Sequence, residues 1–492
     1  MLYNLNTYWC SITELSLCIG LILLILYGLF SLSVDGSYDQ SSKQTPVKIV
    51  NLNLKDVYFF AKTWPIMLLL GYAVDYPLVN NEFKLTMFDL SMATFAYQYN
   101  GIDVLLIILT VIIMQSFKSF ESVLLLLLAF VGQLFMLHSC DLVTFYICLE
   151  AQNFCFLVLC GLQPRVLNYS TSRGSRPLVG VEASIKYLLL SAFSSGVLLF
   201  WFSILYLRTG ITTLSWGPLT SIPFENASMY DVIPQMMILI ALMFKLGGAP
   251  LHIWMVDIYS GVKRQLLMYL STAPKLSLFG FWVSTWHSVW TDFTVFLFVA
   301  LSMIIGCFGA YNQPTLRVLF AYSTINEIGL MLMAIETAGF HSMFQHLSIY
   351  IVTMLLLWNI SDHRLFSILA VSLAGMPPLA GFFGKAWIFN SVATGSMSGS
   401  YLGLLLISLF CTGLSLVYYL RVFRLFTMNN QINRNNIIYP VGIDGNVGNP
   451  YNMSIVTRTY NTQMIATNIK LTSFCVIFLI TAPLFYIKPF VL

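Results

Sequence analysis

The stretch ALMFKLGGAPLHIWMVDIYSG, residues 241–261, places a lysine between a long apolar run and a helix break. The ten residues before Lys245 are almost wholly apolar, and Gly247, Gly248 and Pro250 follow it at once. A lysine at the end of a membrane helix can extend its ammonium group to water. A lysine held at depth beside a broken helix would instead handle ions or protons. The rest of the chain decides between these two interpretations.

The composition is typical of a polytopic membrane protein. Of the 492 residues, 58% are hydrophobic and 9% are charged, and the mean hydropathy is +0.80, whereas soluble domains average about 25% charged residues. A net charge of +4 without a basic stripe argues against nucleic acid as a partner. The nine cysteines are scattered without a CxxC pair, so they are expected to act as small apolar side chains. The first apolar run lacks a basic leader and a cleavage site, which favours a retained span over a signal peptide.

A helix needs roughly 20 apolar residues to cross the hydrocarbon core, and fourteen runs meet this requirement. The predicted fold is therefore an all-α polytopic membrane protein with about 14 transmembrane helices. The predicted spans are residues 9–32, 57–76, 101–117, 121–138, 141–162, 184–207, 232–250, 262–287, 291–311, 314–335, 342–360, 365–393, 400–426 and 471–490. The longest polar segments between them are residues 34–56, 77–100, 163–183 and 427–470.

The basic residues support this count independently. If loops after odd-numbered spans share one side of the membrane, that side holds seventeen lysines and arginines. The other side holds only Lys84, Arg208 and Lys488. Because orientation follows the basic residues of short loops, both termini are predicted on the cation-poor side.

The remaining cations are four lysines inside predicted spans: Lys186, Lys245, Lys275 and Lys385. Charged groups at this depth are costly and commonly mark ion or proton routes. Two acids, Glu150 and Glu327, lie at similar depth. A carboxylate and a lysine that share an interior can remain charged together, and changing the pairing moves a proton. Lys186 follows Glu182 by four residues, so a surface ion pair fits the sequence as well as a buried role.

Two of the lysine-bearing spans are predicted to be broken. Span 7 carries Gly247, Gly248 and Pro250, and span 12 carries Pro377 and Pro378. Unpaired backbone at membrane depth requires a protein interior or a wet cavity around it. The breaks lie five spans apart, and because five is odd, successive five-helix units must enter the membrane from opposite sides, as inverted repeats. The predicted domains are N-terminal helices 1–3 (1–120), the repeats (121–287 and 288–426) and a polar loop with helix 14 (427–492).

Five motifs resemble the antiporter-like membrane subunits of respiratory complex I, the NADH:ubiquinone oxidoreductase. They occur in the family's order and spacing and cover most of residues 100–426. The motifs are EASIKYLLLSAFSSGVLLF (182–200), FKLGGAPLHIWMVDIYSG (244–261), LSTAPKLSLFG (270–280), LFAYSTINEIG (319–329) and SLAGMPPLAGFFGKAWIF (372–389).

This resemblance implies a proton-translocating subunit that is driven by redox chemistry in other subunits. It implies that Glu150 keeps Lys245 charged, that Lys275 is the central lysine that next receives the proton, and that Lys385 releases it. It also implies no metal and no cofactor in this chain, with NADH, FMN, iron–sulfur clusters and ubiquinone held elsewhere in the complex. The implied partners are other membrane-arm subunits and the lipid bilayer, with cardiolipin as a candidate lipid. The 38 phenylalanines and 26 tyrosines are typical of an organelle-encoded chain of the mitochondrial inner membrane, and a bacterial plasma membrane is the alternative.

Three features depart from the family's pattern. Asn326 and Glu327 stand where the family usually has Gly-His, so Glu327 either adds an acid to the proton path or replaces a polar bridge. The connection SDHRLF (361–366) is shorter than usual, and the prolines usual around Asp257 are missing. His252 either bridges protons or forms a local hydrogen bond. Lys186, Glu327 and His252 are therefore secondary candidates for the path.

Two other functions remain consistent with the residues. A membrane subunit of a cation/proton antiporter complex would carry the same motifs but assemble with small membrane proteins. A purely structural subunit is expected to lack the buried charges, yet Glu150 and the three motif lysines are present. The segment GFFGKAW (381–387) lacks the glycine spacing and the Ser/Thr of a phosphate loop. The six histidines form no metal-ligand pattern in the sequence.

Overall fold

Helices make up nearly all of the chain that the computed structural model describes. These residues are 18–26, 102–162 without 104, 118 and 140, 179–210, 212, 229–283, 292–360 without 338, 363–394 and 399–435. Helical segments at 18–26 and Leu105–Met114 come first. The longer series follows as α1 Phe120–Leu137, α2 Leu142–Leu162, α3 Val179–Thr209, α4 Met229–Leu246, α5 Ile253–Gly261, α6 Arg264–Leu270, α7 Ala273–Phe281, α8 Asp292–Tyr311, α9 Leu316–Glu336, α10 Phe340–Asn359, α11 His363–Ala374, α12 Ala380–Thr394 and α13 Gly399–Asn435.

The all-α polytopic fold class is confirmed. Within the described ranges, seven helices are long and apolar enough to cross a bilayer by length and composition: α1, α2, α3, α8, α9, α10 and α13. Predicted spans 2 and 14 and most of the long polar segments lie outside the described residues. Two described helices run further than their predicted spans, because α3 begins at Val179 and α13 continues to Asn435.

The predicted breaks in spans 7 and 12 are both present, and each begins with the same kind of helix end. The helix α4 ends at Leu246, where Gly247 has φ +79° and the Gly248 N–H donates to the Met243 carbonyl over 2.9 Å. The helix α11 ends at Ala374, where Gly375 has φ +88°. Left-handed backbone after the last helical turn favours glycine, which has no Cβ to clash. These two glycines therefore fix where the broken spans stop.

Span 8, predicted as one helix, is interrupted as well. The helices α6 and α7 are separated by a turn at Ser271 and Thr272, and the Thr272 hydroxyl donates to the Met268 carbonyl over 2.8 Å. Pro274, in the first turn of α7, has no N–H to continue the hydrogen-bond ladder of α6. The half-helix α7 carries Lys275, so all three motif lysines lie beside an interrupted span.

Contacts between Cα atoms divide the chain into two units, which are described separately. The first comprises residues 1–163, 211–215 and 273–285 and contains α1, α2 and α7. In it α7 packs on α1, and the Phe145 ring of α2 stacks on Phe281 of α7 with centroids 3.8 Å apart. The second unit comprises residues 164–210, 216–272 and 286–492 and contains the other labelled helices.

The helix α9 forms the centre of the second unit. Its membrane-length window is 89% buried within the protein, whereas the windows of α3 and α13 are 33% and 28% buried. It lies very close to α8, because a Cβ on Gly306 would stand 2.6 Å from the Asn326 nitrogen and a Cβ on Gly329 would stand 2.5 Å from Ser302 Oγ. Small residues permit this approach of two helices in a membrane. Polar side chains on α9 are therefore surrounded by protein.

Candidate functional site

The buried carboxylate of α9 is the centre of a three-residue charged cluster. Glu327 is 3% exposed, and its two oxygens have different partners. Oε1 lies 2.9 Å from Lys385 Nζ of α12, and Oε2 lies 2.8 Å from His346 Nε2 of α10. Glu327, Lys385 and His346, here called the triad, thus come from three different helices.

The break in span 12 gives Lys385 its second partner. Its ammonium group donates to the Leu373 carbonyl over 2.8 Å. Leu373 lies in the last turn of α11, where backbone carbonyls have no intrahelical donor. The C-terminal end of a helix also carries partial negative charge, which favours a cation. Lys385 therefore joins the two halves of the broken span to the carboxylate of α9.

Glycines around the break make room for this arrangement. A Cβ on Gly375 would lie 3.1 Å from Lys385 Cδ. A Cβ on Gly381 would overlap the Ser372 carbonyl oxygen, and the Gly381 N–H lies 3.4 Å from Ser372 Oγ. The start of α12 can approach the end of α11 only because these side chains are absent.

His346 completes the triad with one ring nitrogen still unengaged. With Glu327 ionised, Nε2 carries the proton and donates it to Oε2. Among the residues described, nothing accepts or donates at His346 Nδ1, which is buried. A Cβ on Gly384 would stand 2.7 Å from this nitrogen, so the ring fits because position 384 is glycine. A cavity of about 10 Å³, close to the room that one water needs, is lined by the triad together with Tyr350, Thr353 and Ser372.

The buried charges of the triad stabilise one another. A buried ion is tolerated only where an opposite charge and hydrogen bonds replace its hydration. One carboxylate serves both a lysine and a histidine, so a proton gained at the imidazole adds a second cation beside a single anion. The excess positive charge then favours loss of a proton from one of the two cations, so the arrangement can exchange protons.

Lys245 lies at the other break of the second unit. It occupies the last turn of α4, is half-buried, and donates to the Ser191 carbonyl of α3 over 3.2 Å. The Trp254 indole N–H donates to the Phe244 carbonyl over 2.8 Å, so a side chain from α5 satisfies a carbonyl at the end of α4. The predicted proximity of Lys245 to a helix break is confirmed.

Side chains connect this break to α9. A Cβ on Gly247 would overlap the methyl group of Met255 on α5. The Thr324 hydroxyl lies 3.1 Å from Met255 Sδ. Thr324 precedes Glu327 by three residues, which is nearly one helical turn. Both lysine-bearing breaks of the second unit therefore pack toward the same part of α9.

Two secondary candidates form local contacts instead. Lys186, 47% exposed, pairs with Glu182 over 3.0 Å and with Asp257 of α5 over 3.3 Å. The surface-pair alternative for Lys186 thus agrees with its geometry. His252 Nδ1 lies 3.2 Å from the Pro250 carbonyl, which is the local hydrogen bond weighed as its alternative role.

The first unit holds the remaining predicted residues. Lys275 is 3% exposed on α7. Glu150 on α2 is half-buried, and its Oε1 accepts a hydrogen bond from Asn153 Nδ2 over 3.1 Å. The predicted pairing of Glu150 with Lys245 remains a prediction.

His346 is a member of the site that the sequence patterns did not predict. As a histidine outside the family motifs, it was considered only as a possible metal ligand. The available signal was position: His346 is the seventh residue of α10, and an ionisable group at such depth indicates a functional site.

Comparisons with known proteins show the family of the chain. Residues 139–364 match the family model described as NADH:quinone oxidoreductase/Mrp antiporter, transmembrane. The chain is 45% identical to NADH-ubiquinone oxidoreductase chain 2 of Chlamydomonas reinhardtii, over 97% of this chain and 100% of that one. It is 31% identical to the chain 2 protein of Marchantia polymorpha, over 62% of this chain and 67% of that one.

Solved structures share the fold at low identity. A chain of respiratory complex I from Thermus thermophilus with bound aureothin superposes with a TM-score of 0.69 at 20% identity, covering 97% of this chain and 98% of that chain. A chain of the Mrp complex from Dietzia superposes with a TM-score of 0.63 at 16% identity, covering 84% of this chain and 79% of that chain. At these identities the likeness concerns the fold alone.

Proposed function

The chain belongs to the NADH-ubiquinone oxidoreductase chain 2 family of antiporter-like membrane subunits, and we propose that its proton path runs through the triad of Lys385, Glu327 and His346. It is a proton-translocating subunit of respiratory complex I in the mitochondrial inner membrane, and its partners are other subunits of that complex. The chain itself is proposed to hold no redox centre, so that NADH, FMN, iron–sulfur clusters and ubiquinone remain with other subunits. Contact with cardiolipin is likewise a proposal.

One observation carries the proposed path: a single buried carboxylate contacts both a lysine and a histidine at a broken helix. In the resting state Lys385 is charged, Glu327 is ionised and His346 is neutral. A proton arriving at Nδ1 makes the imidazole a second cation beside the same carboxylate. Repulsion between the two cations then favours loss of the Lys385 Nζ proton to water. The imidazolium passes its Nε2 proton through the Glu327 carboxylate to Lys385 Nζ, which restores the ammonium group and leaves a neutral imidazole with its proton on Nδ1. Exchange with water returns the ring to its Nε2–H tautomer.

The other lysines are proposed as upstream members of the path. Lys245 is assigned to the path because it lies beside a helix break that packs toward α9. Lys275 and Glu150 are assigned on the sequence resemblance, supported by the burial of Lys275. Lys186 and His252 are proposed to have local structural roles and not to carry the proton, because their contacts are local or exposed.

The proposal is tested with the purified complex reconstituted into vesicles, by measuring protons pumped per NADH oxidised. Lys385→Met and His346→Gln should both lower this ratio while NADH oxidation in the presence of an uncoupler continues. Lys186→Met is the matched control, because it removes an exposed lysine from a predicted span. A normal ratio in both triad variants would contradict the proposed path.

The antiporter-complex alternative is less well supported. The match to chain 2 extends over the whole of the Chlamydomonas protein at 45% identity, whereas the likeness to the Mrp complex concerns the fold at 16% identity.

A further inference from the structure

A second buried carboxylate, in the first unit, has no role in the path described so far. Asp103 is 1% exposed, and its Oδ2 lies 3.1 Å from His138 Nε2. Within the part of the chain that the structure describes, nothing pairs with Asp103 Oδ1, which is also buried. A buried carboxylate with one oxygen unsatisfied is costly, and such groups in membrane spans commonly serve proton transfer.

His138, the partner of this carboxylate, lies at the partly exposed end of α1. It follows the last residue of α1 as its C-cap, and its side chain is 29% exposed. The Asp103 side of the pair is therefore buried, and the His138 side is partly exposed. A histidine in this position can accept a proton at one ring nitrogen and release one from the other.

The segments that carry the pair pack against the helix that carries Lys275. A Cβ on Gly280 of α7 would stand 2.5 Å from Leu137 Cδ2 and 3.7 Å from Ile102 Cδ1. Leu137 and Ile102 are the chain neighbours of His138 and Asp103, so α7 lies against the segments on either side of the pair. Lys275 precedes Gly280 by five residues, about 7.5 Å along a helix axis.

Among the described residues, the other acids on or beside the adjoining helices are less buried than Asp103. Glu121 lies at the opposite end of α1, and Lys275 is the basic residue of α7. On α2 and just before it, the acids are Glu150 and Asp141. Asp103 is therefore the buried acid nearest to the end of α1.

We propose that Asp103 and His138 form a second proton exit of this subunit, separate from the release at Lys385; this proposal rests on the proposed function of the chain. While Asp103 is ionised, the neutral His138 ring donates its Nε2 proton to the carboxylate. Once Asp103 takes up a proton from the interior, the ring exchanges with water to its Nδ1–H tautomer, and the Asp103 proton passes to Nε2. The imidazolium then releases its Nδ1 proton to water, which restores the ionised carboxylate and the neutral ring with its proton on Nε2. The loop cations predict that the start of span 3 and the end of span 4 lie on the cation-poor side, which is the side of release in a mitochondrion.

The test uses the intact complex from mitochondria that carry variants of this chain, reconstituted as above. Asp103→Asn keeps the size of the side chain but cannot ionise. His138→Gln can still donate a hydrogen bond to Asp103 but cannot carry a proton. If His138 has only a structural role, the protons pumped per NADH should be unchanged in His138→Gln. If His138 is part of the exit, this ratio should fall. Ser139→Ala is the control, because its hydroxyl donates to the Met136 carbonyl within the preceding turn.

Asp103→Asn and His138→Gln are both expected to lower the protons pumped per NADH, with Ser139→Ala unchanged. If Asp103→Asn prevents assembly, the pumping ratio of His138→Gln, a substitution at a partly exposed position, decides whether the exit proposal stands. Normal pumping in His138→Gln, with the loss kept in Lys385→Met, overturns the exit and leaves the triad standing. Normal pumping in Lys385→Met as well overturns the proposed function itself.

Discussion

Replacing Glu327 with glutamine isolates the charge on which the triad depends. Opposite unit charges 2.9 Å apart attract by about 6 kcal/mol at an effective dielectric constant of about 20. Glutamine still offers a carbonyl oxygen, so part of this attraction is replaced by a neutral hydrogen bond. Removing one partner of a buried ion pair typically costs about 3–5 kcal/mol. The ammonium group of Lys385 would then be left buried without its carboxylate.

The expected result of Glu327→Gln is a complex that oxidises NADH but pumps fewer protons per NADH. The measurement is the ratio of vesicle acidification to NADH consumption, with and without an uncoupler. Glu327→Asp keeps the negative charge one methylene further away and should retain part of the pumping. A double variant, Glu327→Gln with Lys385→Met, should assemble and resist heat better than Glu327→Gln alone, because no lone charge is left buried.

An unchanged pumping ratio in Glu327→Gln would refute this reasoning, since it would mean that Lys385 does not need the carboxylate to carry its proton. A double variant less stable than the single one would refute the electrostatic part. Melting of the detergent-solubilised complex, followed by loss of NADH-oxidising activity on native gels, measures the stability.

Three further results are expected. Gly375→Ala should cost about 1–2 kcal/mol because alanine strains the left-handed backbone, lowering the midpoint of thermal inactivation of the complex. Gly381→Ala should prevent assembly, seen as loss of the large NADH-oxidising band on native gels, because its Cβ overlaps a backbone carbonyl; Gly413→Ala, with open space around its Cα, should assemble normally. Lys245→Met should lower the protons pumped per NADH while Lys186→Met leaves the ratio near that of the unaltered complex, since Lys186 lies in an exposed ion pair.

The local features of the fold could be read from the sequence. Glycine and proline after Lys245 and before Lys385 mark the two breaks because they act on their own backbone. The same reasoning applies to the interruption of span 8, where Pro274 supplied the signal. The predicted span 262–287 nevertheless ran through this point, because Ser271 and Thr272 are uncharged and lie between apolar residues.

The pairing within the site could not be read in this way. Glu327 and His346 are nineteen residues apart, on neighbouring helices, and Lys385 lies on a third. Their contact depends on how α9, α10 and α12 are rotated about their axes. Rotation follows from packing, such as the close approach of Gly384 to His346. The sequence therefore revealed Glu327 and Lys385 as buried charges, but neither the role of His346 nor the association of the three residues.

The fit between Gly384 and His346 also restricts how this chain can evolve. While histidine occupies position 346, any larger residue at 384 would push against the ring, so position 384 cannot drift on its own. A lineage must first replace the histidine, and only then can the glycine vary. Among descendants of a common ancestor, alanine or serine at 384 is therefore expected together with a smaller residue at 346. The order of the two substitutions should be visible in reconstructed ancestral sequences.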